Sequence, residues 1–222
     1  MGTKPTAVVY VDAFNLYRRR LSDFPDTKWL NLNKLADLVL PDYEIVGVEY
    51  FTAILRYSTV NDPAMVMRQQ VYLRALDTLE NFRIHLGAFR SDKRTMTIHP
   101  KTVDPETGEV KRIAVIKVEE KGSDVNLATR MVADSLSNRS DIAVILSNDS
   151  DHAGQIRMLT EEFGKRVGLI TPLLESKRAS KELKNLQIEF FREISADALF
   201  AAQFPETIND KHGTIHRPEA WR

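Results

Sequence analysis

A chain of 222 residues, 43% of them hydrophobic, is long enough to bury one substantial core, which predicts a single domain with appendages. It contains no cysteine, so disulfides, thiolate metal ligands and a cysteine nucleophile are excluded, and any metal is expected to be held by oxygen atoms. Basic and acidic residues both number 31, so the bulk charge gives no reason to predict nucleic-acid binding, and only an uneven distribution of charge would supply one.

The first half of the chain alternates between strand-like and helix-like segments. A buried strand is predicted at 7–12, and the helix after it carries Arg18, Arg19 and Arg20. This arginine run indicates an exposed helix face, with phosphate contact as the alternative. Further along, a helix is predicted over 33–40, a strand over 44–55, and a helix from Pro63 to about residue 80, capped by Asn61-Asp62.

The alternation is interrupted after the third strand, which is predicted at 83–89. Residues 90–112 are rich in lysine and arginine and contain a turn-forming sequence, so they predict a hairpin or excursion beside the sheet. A solvated loop and a nucleic-acid-contacting flap are both open interpretations of this segment. Beyond it the pattern predicts strands at 113–118, 142–146 and 165–170, a helix capped by Ser123, and a helix after residue 150. Alternating strands and helices predict an α/β fold with a mostly parallel sheet.

The last part of the chain is less regular. The pattern predicts a helix over 179–186, a strand or a cover for the core over 188–194, a helix over 196–203, and a loose extension over 205–222 in which Trp221 anchors the end. We therefore predict a main domain over 1–175 and a partly irregular C-terminal extension over 176–222 that packs on it.

Acidic residues follow three of the predicted strands. Asp12, Asp124 and Asp149 each lie where a predicted strand ends and a helix begins. In open α/β sheets, ligands bind outside the carboxyl ends of the strands. Two carboxylates about 5 Å apart, at an effective dielectric constant of about 20, repel by about 3 kcal/mol. A converging set therefore needs a shared proton or a divalent cation, and oxygen ligands favour Mg²⁺ or Mn²⁺. For each aspartate alone, helix capping is the simpler interpretation.

Small polar residues accompany these acids. Asn15 lies one helical turn after Asp12, where its amide could orient the aspartate, contact a phosphate or make a local cap. Ser147 and Ser150 flank Asp149 and can bond a carboxylate, the metal's water or a substrate phosphate, although Ser150 also suits an N-cap. In the first helical turn, Asp151 suits either a metal site or the helix dipole. The remaining candidate, Lys121, is positioned to balance the acids or bind substrate phosphate.

Other common site motifs are absent from the sequence. No G-x-G-x-x-G follows the first strand, and neither a P-loop nor a G-x-S-x-G motif occurs. Position 14 is Phe, whereas a haloacid-dehalogenase-type phosphatase needs a second aspartate there. The sequence therefore gives no support to dinucleotide-binding, P-loop or serine-hydrolase chemistry.

Together the three acidic segments resemble the NYN domain, a PIN-like nuclease family with the motifs D-x-x-N, E-K-G-x-D-V and S-G-D-S-D. The matching segments are Val11-Asp12-Ala13-Phe14-Asn15, Glu120-Lys121-Gly122-Ser123-Asp124-Val125 and Leu146-Ser147-Asn148-Asp149-Ser150-Asp151. The resemblance covers about residues 6–172 and implies a PIN-like three-layer α/β/α sandwich with metal-dependent RNA cleavage. It assigns Asp12, Asp124 and Asp149 to the metal site and catalysis, Asn15 to support, and Asp151 to a further ligand position.

Two residues depart from the family pattern. Asn148 stands where the family usually has glycine, and asparagine tolerates left-handed backbone angles better than most residues, so the turn is expected to survive. His152 stands where Phe or Tyr is common, and either packs as the aromatic would or adds a titrating group near the site. Neither change removes an expected ligand.

These observations favour a Mg²⁺- or Mn²⁺-dependent endoribonuclease that cuts single-stranded or loop RNA. The substrate is expected to contact Ser147, Ser150, Lys121, Arg18, Arg90 and Arg94, with further basic residues at 90–112 and at Lys165 and Arg166. A non-catalytic RNA-binding or regulatory module on the same fold is the alternative, and a small-molecule phosphatase with a closed pocket is a third.

The location of the protein in the cell is predicted from two sequence features that it lacks. No apolar stretch approaches the about 20 residues of a membrane span, and no secretory leader pattern precedes the first strand. We therefore expect a cytoplasmic protein without a membrane partner. A homodimer is an open alternative to a monomer, because apolar residues in the tail could pair two chains.

Overall fold

The computed structural model of the protein describes residues 3–60, 62–173 and 180–222. Three expectations fall wholly or partly outside these ranges: the capping role of Asn61, the first residue of the helix predicted over 179–186, and the domain boundary between residues 175 and 176. Asp62 is described, and its carboxylate accepts the backbone N–H of Ala64 at 2.9 Å, which caps the helix that begins at Pro63.

The fold is organised around a seven-stranded, mostly parallel sheet, which confirms the predicted α/β class. Its spatial order is β4-β3-β2-β1-β5-β6-β7, and every neighbouring pair is parallel except β3 with β4. The strands are β1 (Thr6–Asp12), β2 (Glu44–Ala53), β3 (Phe82–Thr97), β4 (Arg112–Lys121), β5 (Ile142–Leu146), β6 (Val167–Thr171) and β7 (Phe190–Glu193).

Helices cover both faces of the sheet and give the predicted three-layer α/β/α sandwich. They are α1 (Ala13–Leu16), α2 (Leu32–Val39), α3 (Pro63–Leu76), α4 (Ser123–Leu136), α5 (Ala153–Arg157), α6 (Lys181–Lys184) and α7 (Ala196–Ala201). The first, second, third and seventh helices contribute to one buried cluster, and the fourth, fifth and sixth contribute to the other. None of the helices that the structure describes has the length and apolar character of a membrane span.

The central strand shows why both faces must be covered. Side chains alternate across a strand, and in β1 Val9 and Val11 enter the first cluster while Val8 and Tyr10 enter the second. All four are 1% exposed or less. This burial on both faces accounts for the continuous apolar run in the sequence.

The C-terminal region is more regular than its composition predicts. Strand β7 pairs in parallel with β6 and completes the sheet, and residues after 205 form a hairpin of β8 (Thr207–Asp210) and β9 (Gly213–His216). The fully buried Trp29 donates its indole N–H to the carbonyl of Pro205 at 2.8 Å and packs against Phe204 and Trp221. The chain end is therefore anchored by Trp221, as the sequence predicts.

The long hairpin of β3 and β4 departs most from the predicted alternation. Strand β2 ends at Ala53, opposite Gly87, but β3 continues to Thr97 and pairs with β4 in antiparallel register. This continuation of the strand extends about 30 Å. We call residues 88–121 the hairpin arm, and it projects beyond the carboxyl ends of the parallel strands. The strand predicted at 113–118 is therefore not another parallel strand of the sheet.

A buried ionic network lies between β2 and α4. The Glu49 side chain is fully buried and is hydrogen-bonded by Arg139 and, at 2.5 Å, by His85. Arg139 also pairs with Asp134 at 2.7 Å, and the Tyr10 hydroxyl donates to the same carboxylate at 3.1 Å. The network satisfies the polar groups beneath α4 with specific partners, as burial requires.

Candidate functional site

Asp12 is fixed at the carboxyl end of β1. It is 5% exposed, and its extended backbone ends the strand while its side chain caps α1. Oδ1 accepts the backbone N–H of Asn15 at 3.0 Å, and Oδ2 accepts the Ser147 hydroxyl at 2.9 Å. Both carboxylate oxygens are therefore held in place from two different segments of the chain.

The loop after β5 is tied to this aspartate by two polar side chains. Ser147 Oγ also accepts the backbone N–H of Asp149 at 3.1 Å, and Asn15 Oδ1 accepts the N–H of Asn148 at 2.9 Å. Ser147 is 1% exposed and donates its only hydroxyl hydrogen to Asp12. The structure therefore places Ser147 as a buried hydrogen-bond partner of Asp12, which is one of the roles that the sequence left open, and its contact with substrate stays a prediction.

Asp124 reaches the same edge of the sheet by a different route from the one that the sequence suggested. It follows β4, which runs antiparallel to β3, and it reaches the carboxyl edge only because the hairpin arm first extends past that edge. The chain then turns at Gly122, whose φ of 100° lies in the left-handed region that favours glycine. The three acidic junctions therefore converge without being equivalent.

Glu120, not Ser123, provides the cap of the helix that carries Asp124. Its carboxylate accepts the backbone N–H of Ser123 at 3.0 Å and the Ser123 hydroxyl at 2.7 Å. Gly87 lies against this carboxylate, and a Cβ there would overlap Glu120 Oε1 and the carbonyl oxygen of Lys121. The close approach of β3 and β4 thus fixes the start of α4.

His152 joins the two aspartates at the centre of the site. It ends a single 3-10 turn, Ser150–His152, and is 2% exposed. Among the described residues, the ligand atoms of Asp12, Asp124 and His152 lie within 4.8 Å of one another. Asp149 and Asp151, both predicted as metal ligands, fall outside this described group, and Asp149 Oδ1 accepts the N–H of Asp151 at 3.1 Å.

The ionisable groups in this cluster shift one another's pKa. Partial burial and repulsion from Asp12 raise the pKa of Asp124, although the residue keeps exposed surface. Burial alone would lower the pKa of His152, but the nearby carboxylates of Asp12, Asp124 and Asp149 outweigh it and raise that pKa. Without a cation, His152 is thus the group placed to hold the counter-charge that the converging carboxylates require.

The group of Asp12, Asp124 and His152 could hold a divalent cation. His152 Nε2 is buried and has no hydrogen-bond partner, and it lies 3.6 Å from Asp12 Oδ2, which is beyond hydrogen-bond distance. Two carboxylates and an imidazole nitrogen are all ordinary metal ligands. The expectation of an all-oxygen site left out histidine, although the absence of cysteine does not remove an imidazole as a nitrogen donor.

The other predicted contacts are spread around the edge of the site. Arg18 is exposed beyond α1, and Ser150 is partly exposed beside Asp149. Lys121 pairs with Glu119 at 3.3 Å instead of with the acidic cluster. Arg20, predicted on an exposed face with its neighbours, is 4% exposed and donates to the carbonyl of Ile194 at 3.2 Å.

The predicted basic contacts of the hairpin arm lie on the face opposite to Glu120. Arg90 pairs in register with Glu119 and Arg94 with Val115, while Lys93 pairs with Ile116. Because faces alternate, Lys93 and Arg112 share the face of Glu120, and Arg90 and Arg94 occupy the other. Lys165 and Arg166 precede β6, so they lie at the amino ends of the parallel strands, whereas the acidic cluster lies at the carboxyl ends.

Asn148 does not adopt the left-handed conformation that its alignment with glycine suggested. The non-glycine residues with positive φ in the described chain are Asn81 and Asn138. Instead, Asn148 Oδ1 accepts the backbone N–H of Ser180 at 2.9 Å. The amide therefore connects the site loop to the C-terminal region, which no local sequence signal could reveal.

Comparison with known proteins identifies the family of this chain. The NYN domain model matches residues 6–192. The chain is 31% identical, over 233 residues, to 6-hydroxy-3-succinoylpyridine 3-monooxygenase HspA of Pseudomonas putida (strain DSM 28022 / S16), covering 96% of this chain and 74% of that protein. A crystal structure of a protein of unknown function from Vibrio parahaemolyticus RIMD 2210633 matches with a TM-score of 0.50 at 16% identity, covering 89% of this chain and 97% of that one, which supports the fold. Since the NYN match spans most of the chain and includes all three acidic segments, this chain belongs to the NYN domain family, whose members are generally hydrolytic nucleases.

Proposed function

We propose that the chain is a divalent-metal-dependent endoribonuclease. The observation that carries this proposal is the convergence of Asp12, Asp124 and His152 at an open edge of the sheet in an NYN chain. A protein that only binds a polyanion gains nothing from concentrating carboxylates there. Neither of the two described cavities, of 720 and 170 Å³, is lined by this group, so an open edge suits a polymeric substrate better than a closed pocket would.

In this proposal Asp12 and Asp124 hold the cation, and the carboxylates alone would accept either Mg²⁺ or Mn²⁺. When bound, the cation offsets the carboxylate charges and stabilises negative charge that develops on the phosphate. Ser147 and Asn15 keep Asp12 and the site loop in position. In the hydrolysis, water oxygen bonds to phosphorus, the ester P–O bond breaks, and the leaving oxygen gains a proton.

Asp149 is proposed as the group that accepts the proton of the attacking water. It is partly exposed, and Oδ1 is engaged by the N–H of Asp151, which leaves Oδ2 for this role. A general base must lie within hydrogen-bond reach of the proton that it takes. Asp151, which is exposed in the turn that follows, is proposed to act only at the outer side of the site.

The hairpin arm is proposed to hold the RNA backbone. It projects on the side where the parallel strands end and carries Arg90, Lys93, Arg94 and Arg112 in exposed positions. Cations along an open groove bind single-stranded nucleic acid with little sequence preference. Single-stranded or loop RNA is therefore the proposed substrate, and the homodimer stays a prediction.

The deciding experiment is incubation of labelled single-stranded RNA, duplex RNA and single-stranded DNA with the purified chain. Reactions contain Mg²⁺, Mn²⁺ or EDTA. Metal-dependent cutting of RNA that disappears in Asp149→Asn supports the proposal, and Asp42→Asn, an exposed aspartate before β2, serves as the matched control. Tight RNA binding without cutting in any metal would instead identify a binding or regulatory module.

A second candidate function comes from the Pseudomonas putida relative. Its name describes a 3-monooxygenase of 6-hydroxy-3-succinoylpyridine, and 31% identity extends over nearly the whole of this chain. A monooxygenase puts one oxygen atom of O₂ into its substrate and reduces the other to water with two electrons from a reductant. It is tested by O₂ consumption and mass spectrometry with that pyridine, NADH as reductant and each metal. Hydroxylated product without RNA cleavage would replace the nuclease proposal.

A further inference from the structure

We propose that His152 Nε2 is a direct ligand of the cation, and that the site therefore binds a divalent transition-metal ion such as Mn²⁺ in preference to Mg²⁺. This inference rests on the proposed function only in requiring that a cation binds between Asp12 and Asp124. It holds equally for a hydrolytic or an oxygen-dependent reaction.

The first support is the state of the nitrogen atom. His152 is 2% exposed, and its Nε2 is a buried polar atom without a hydrogen-bond partner. Burying a polar atom without a partner is costly, so Nε2 has an interaction to gain at this site. A cation between the carboxylates would supply it.

The second support is distance. Two atoms bound to one cation at about 2.1 Å each lie at most about 4.2 Å apart. His152 Nε2 and Asp12 Oδ2 are 3.6 Å apart, which is too long for a hydrogen bond and suitable for two ligands of one ion. The Asp124 carboxylate completes a group within 4.8 Å. A separation above about 4.2 Å requires the exposed Asp124 side chain to move inward when an ion binds.

The third support is the chemistry of the donor set. Mg²⁺ prefers oxygen ligands and retains several waters, so an imidazole nitrogen adds little to its binding. First-row transition metals accept imidazole together with carboxylates, and their affinity for such mixed sites increases from Mn²⁺ through Co²⁺. A nitrogen ligand is therefore expected to raise the affinity for Mn²⁺ much more than the affinity for Mg²⁺.

The competing interpretation is a protonated imidazole paired with Asp12. In that arrangement His152 would repel a cation, and replacing it would strengthen metal binding. The two interpretations thus predict opposite effects of one substitution, His152→Phe, which keeps a planar ring of similar size but removes the nitrogen.

The test uses Mn²⁺ bound to the full chain, read by electron spin echo envelope modulation for coupling to ¹⁴N. Wild type is expected to show nitrogen coupling, His152→Phe to lose it, and His212→Gln, an exposed histidine of the β8–β9 hairpin, to keep it. In parallel, Mn²⁺ affinity of His152→Phe is expected to fall about tenfold or more, by analogy with the effects of ligand-supporting residues, while Mg²⁺ affinity changes little. Thermal unfolding by circular dichroism confirms that the variant folds.

Each outcome decides the inference. Stoichiometric Mn²⁺ binding that needs Asp12 but shows no nitrogen coupling, or that strengthens in His152→Phe, overturns it and leaves the metal-dependent function standing. If the wild-type chain binds neither Mn²⁺ nor Mg²⁺, both this inference and the proposed metal-dependent function are overturned. Equal competition of Mg²⁺ with Mn²⁺ in wild type overturns the stated preference. If His152→Phe does not fold, ¹⁵N labelling of histidine in wild type, which replaces the ¹⁴N coupling by a ¹⁵N one, provides the same decision.

Discussion

Ser147 Oγ and Asp12 Oδ2 lie 2.9 Å apart in the buried centre of the site, and the same hydroxyl accepts the N–H of Asp149. One side chain therefore fixes two of the three predicted acids. In Ser147→Ala, Asp12 Oδ2 and the Asp149 amide are both left without this partner. We expect the free energy of unfolding to fall by about 1–3 kcal/mol and metal affinity and cleavage to fall by about 10- to 100-fold.

Urea denaturation and a cleavage time course measure the two effects of Ser147→Ala. Ser150→Ala is the matched control, because Ser150 lies in the same loop but is only partly buried, and it should leave stability nearly unchanged. Equal losses of unfolding free energy in both variants would show that the Ser147 hydroxyl has no special role in stability.

Glu49 carries a second prediction, which concerns stability. Its carboxylate is fully buried and balanced by Arg139 and His85. Glu49→Gln removes the charge that these hydrogen bonds engage, although Arg139 keeps its pair with Asp134, so the free energy of unfolding should fall by about 1–3 kcal/mol. Glu206→Gln, at a side chain that is 58% exposed and paired with Arg217, should cost about 1 kcal/mol or less. Urea denaturation at neutral pH compares the two, and similar values would contradict the prediction.

The same residue predicts a pH dependence. Burial alone would raise the pKa of Glu49, but hydrogen bonds from His85 and Arg139 outweigh it and hold that pKa below the usual 4.5. An acid whose pKa is lower in the folded chain stabilises the fold above its ordinary pKa, and this stability disappears as the pH falls further, through the folded-state pKa. Unfolding free energies measured from neutral pH down through this acidic range should therefore decline less steeply in Glu49→Gln. An identical slope would show that Glu49 titrates normally.

Local sequence patterns predict the centre of the parallel sheet well, because β1, β5 and β6 each contain a continuous apolar run and the main helices have recognisable starts. They predict the hairpin arm poorly, because an antiparallel return strand and a parallel one share the same local composition. The residues 113–118 form a strand as expected, but Ile113 and Ile116 are 52% and 67% exposed. The strand with which a segment pairs decides how far the segment is buried, and that strand lies too far along the chain to be recognised from the local sequence.

The candidate site is likewise predicted only in part from the sequence. The positions of Asp12, Asp124 and the loop at Asp149 after strands are visible in the sequence, and the structure brings the first two together. For His152 the sequence leaves packing and a titrating group near the site both open, because its burial against Asp12 arises between segments that are distant along the chain. Its signal in the sequence is a histidine directly after the acidic loop, at a position where an apolar ring would serve packing equally well.

Asp124 supplies a prediction in which stability and activity move in opposite directions. Burial and repulsion from Asp12 raise its pKa, so its negative charge at neutral pH opposes folding in the absence of a cation. Asp124→Asn should keep or raise the free energy of unfolding in EDTA, by about 1 kcal/mol or less, and should abolish metal-dependent cleavage. Denaturation with and without Mn²⁺ measures the first effect, and a cleavage assay measures the second. A destabilised Asp124→Asn in EDTA would contradict this account of the charge.

The hairpin arm provides the last prediction, which separates its two faces. Lys93 and Arg112 share the face of Glu120, whose carboxylate caps the helix carrying Asp124, whereas Arg90 and Arg94 occupy the opposite face. If RNA reaches the acidic cluster along the first face, Lys93→Gln with Arg112→Gln should weaken RNA binding more than Arg90→Gln with Arg94→Gln. Removing one lysine or arginine that binds a phosphate should also reduce the salt dependence, the slope of log K against log salt, by about 0.7. Fluorescence anisotropy with labelled single-stranded RNA at several salt concentrations measures both quantities, and Lys165→Gln at the far edge of the sheet should change neither. A larger loss of affinity in the Arg90 and Arg94 pair would place the RNA on the other face of the arm.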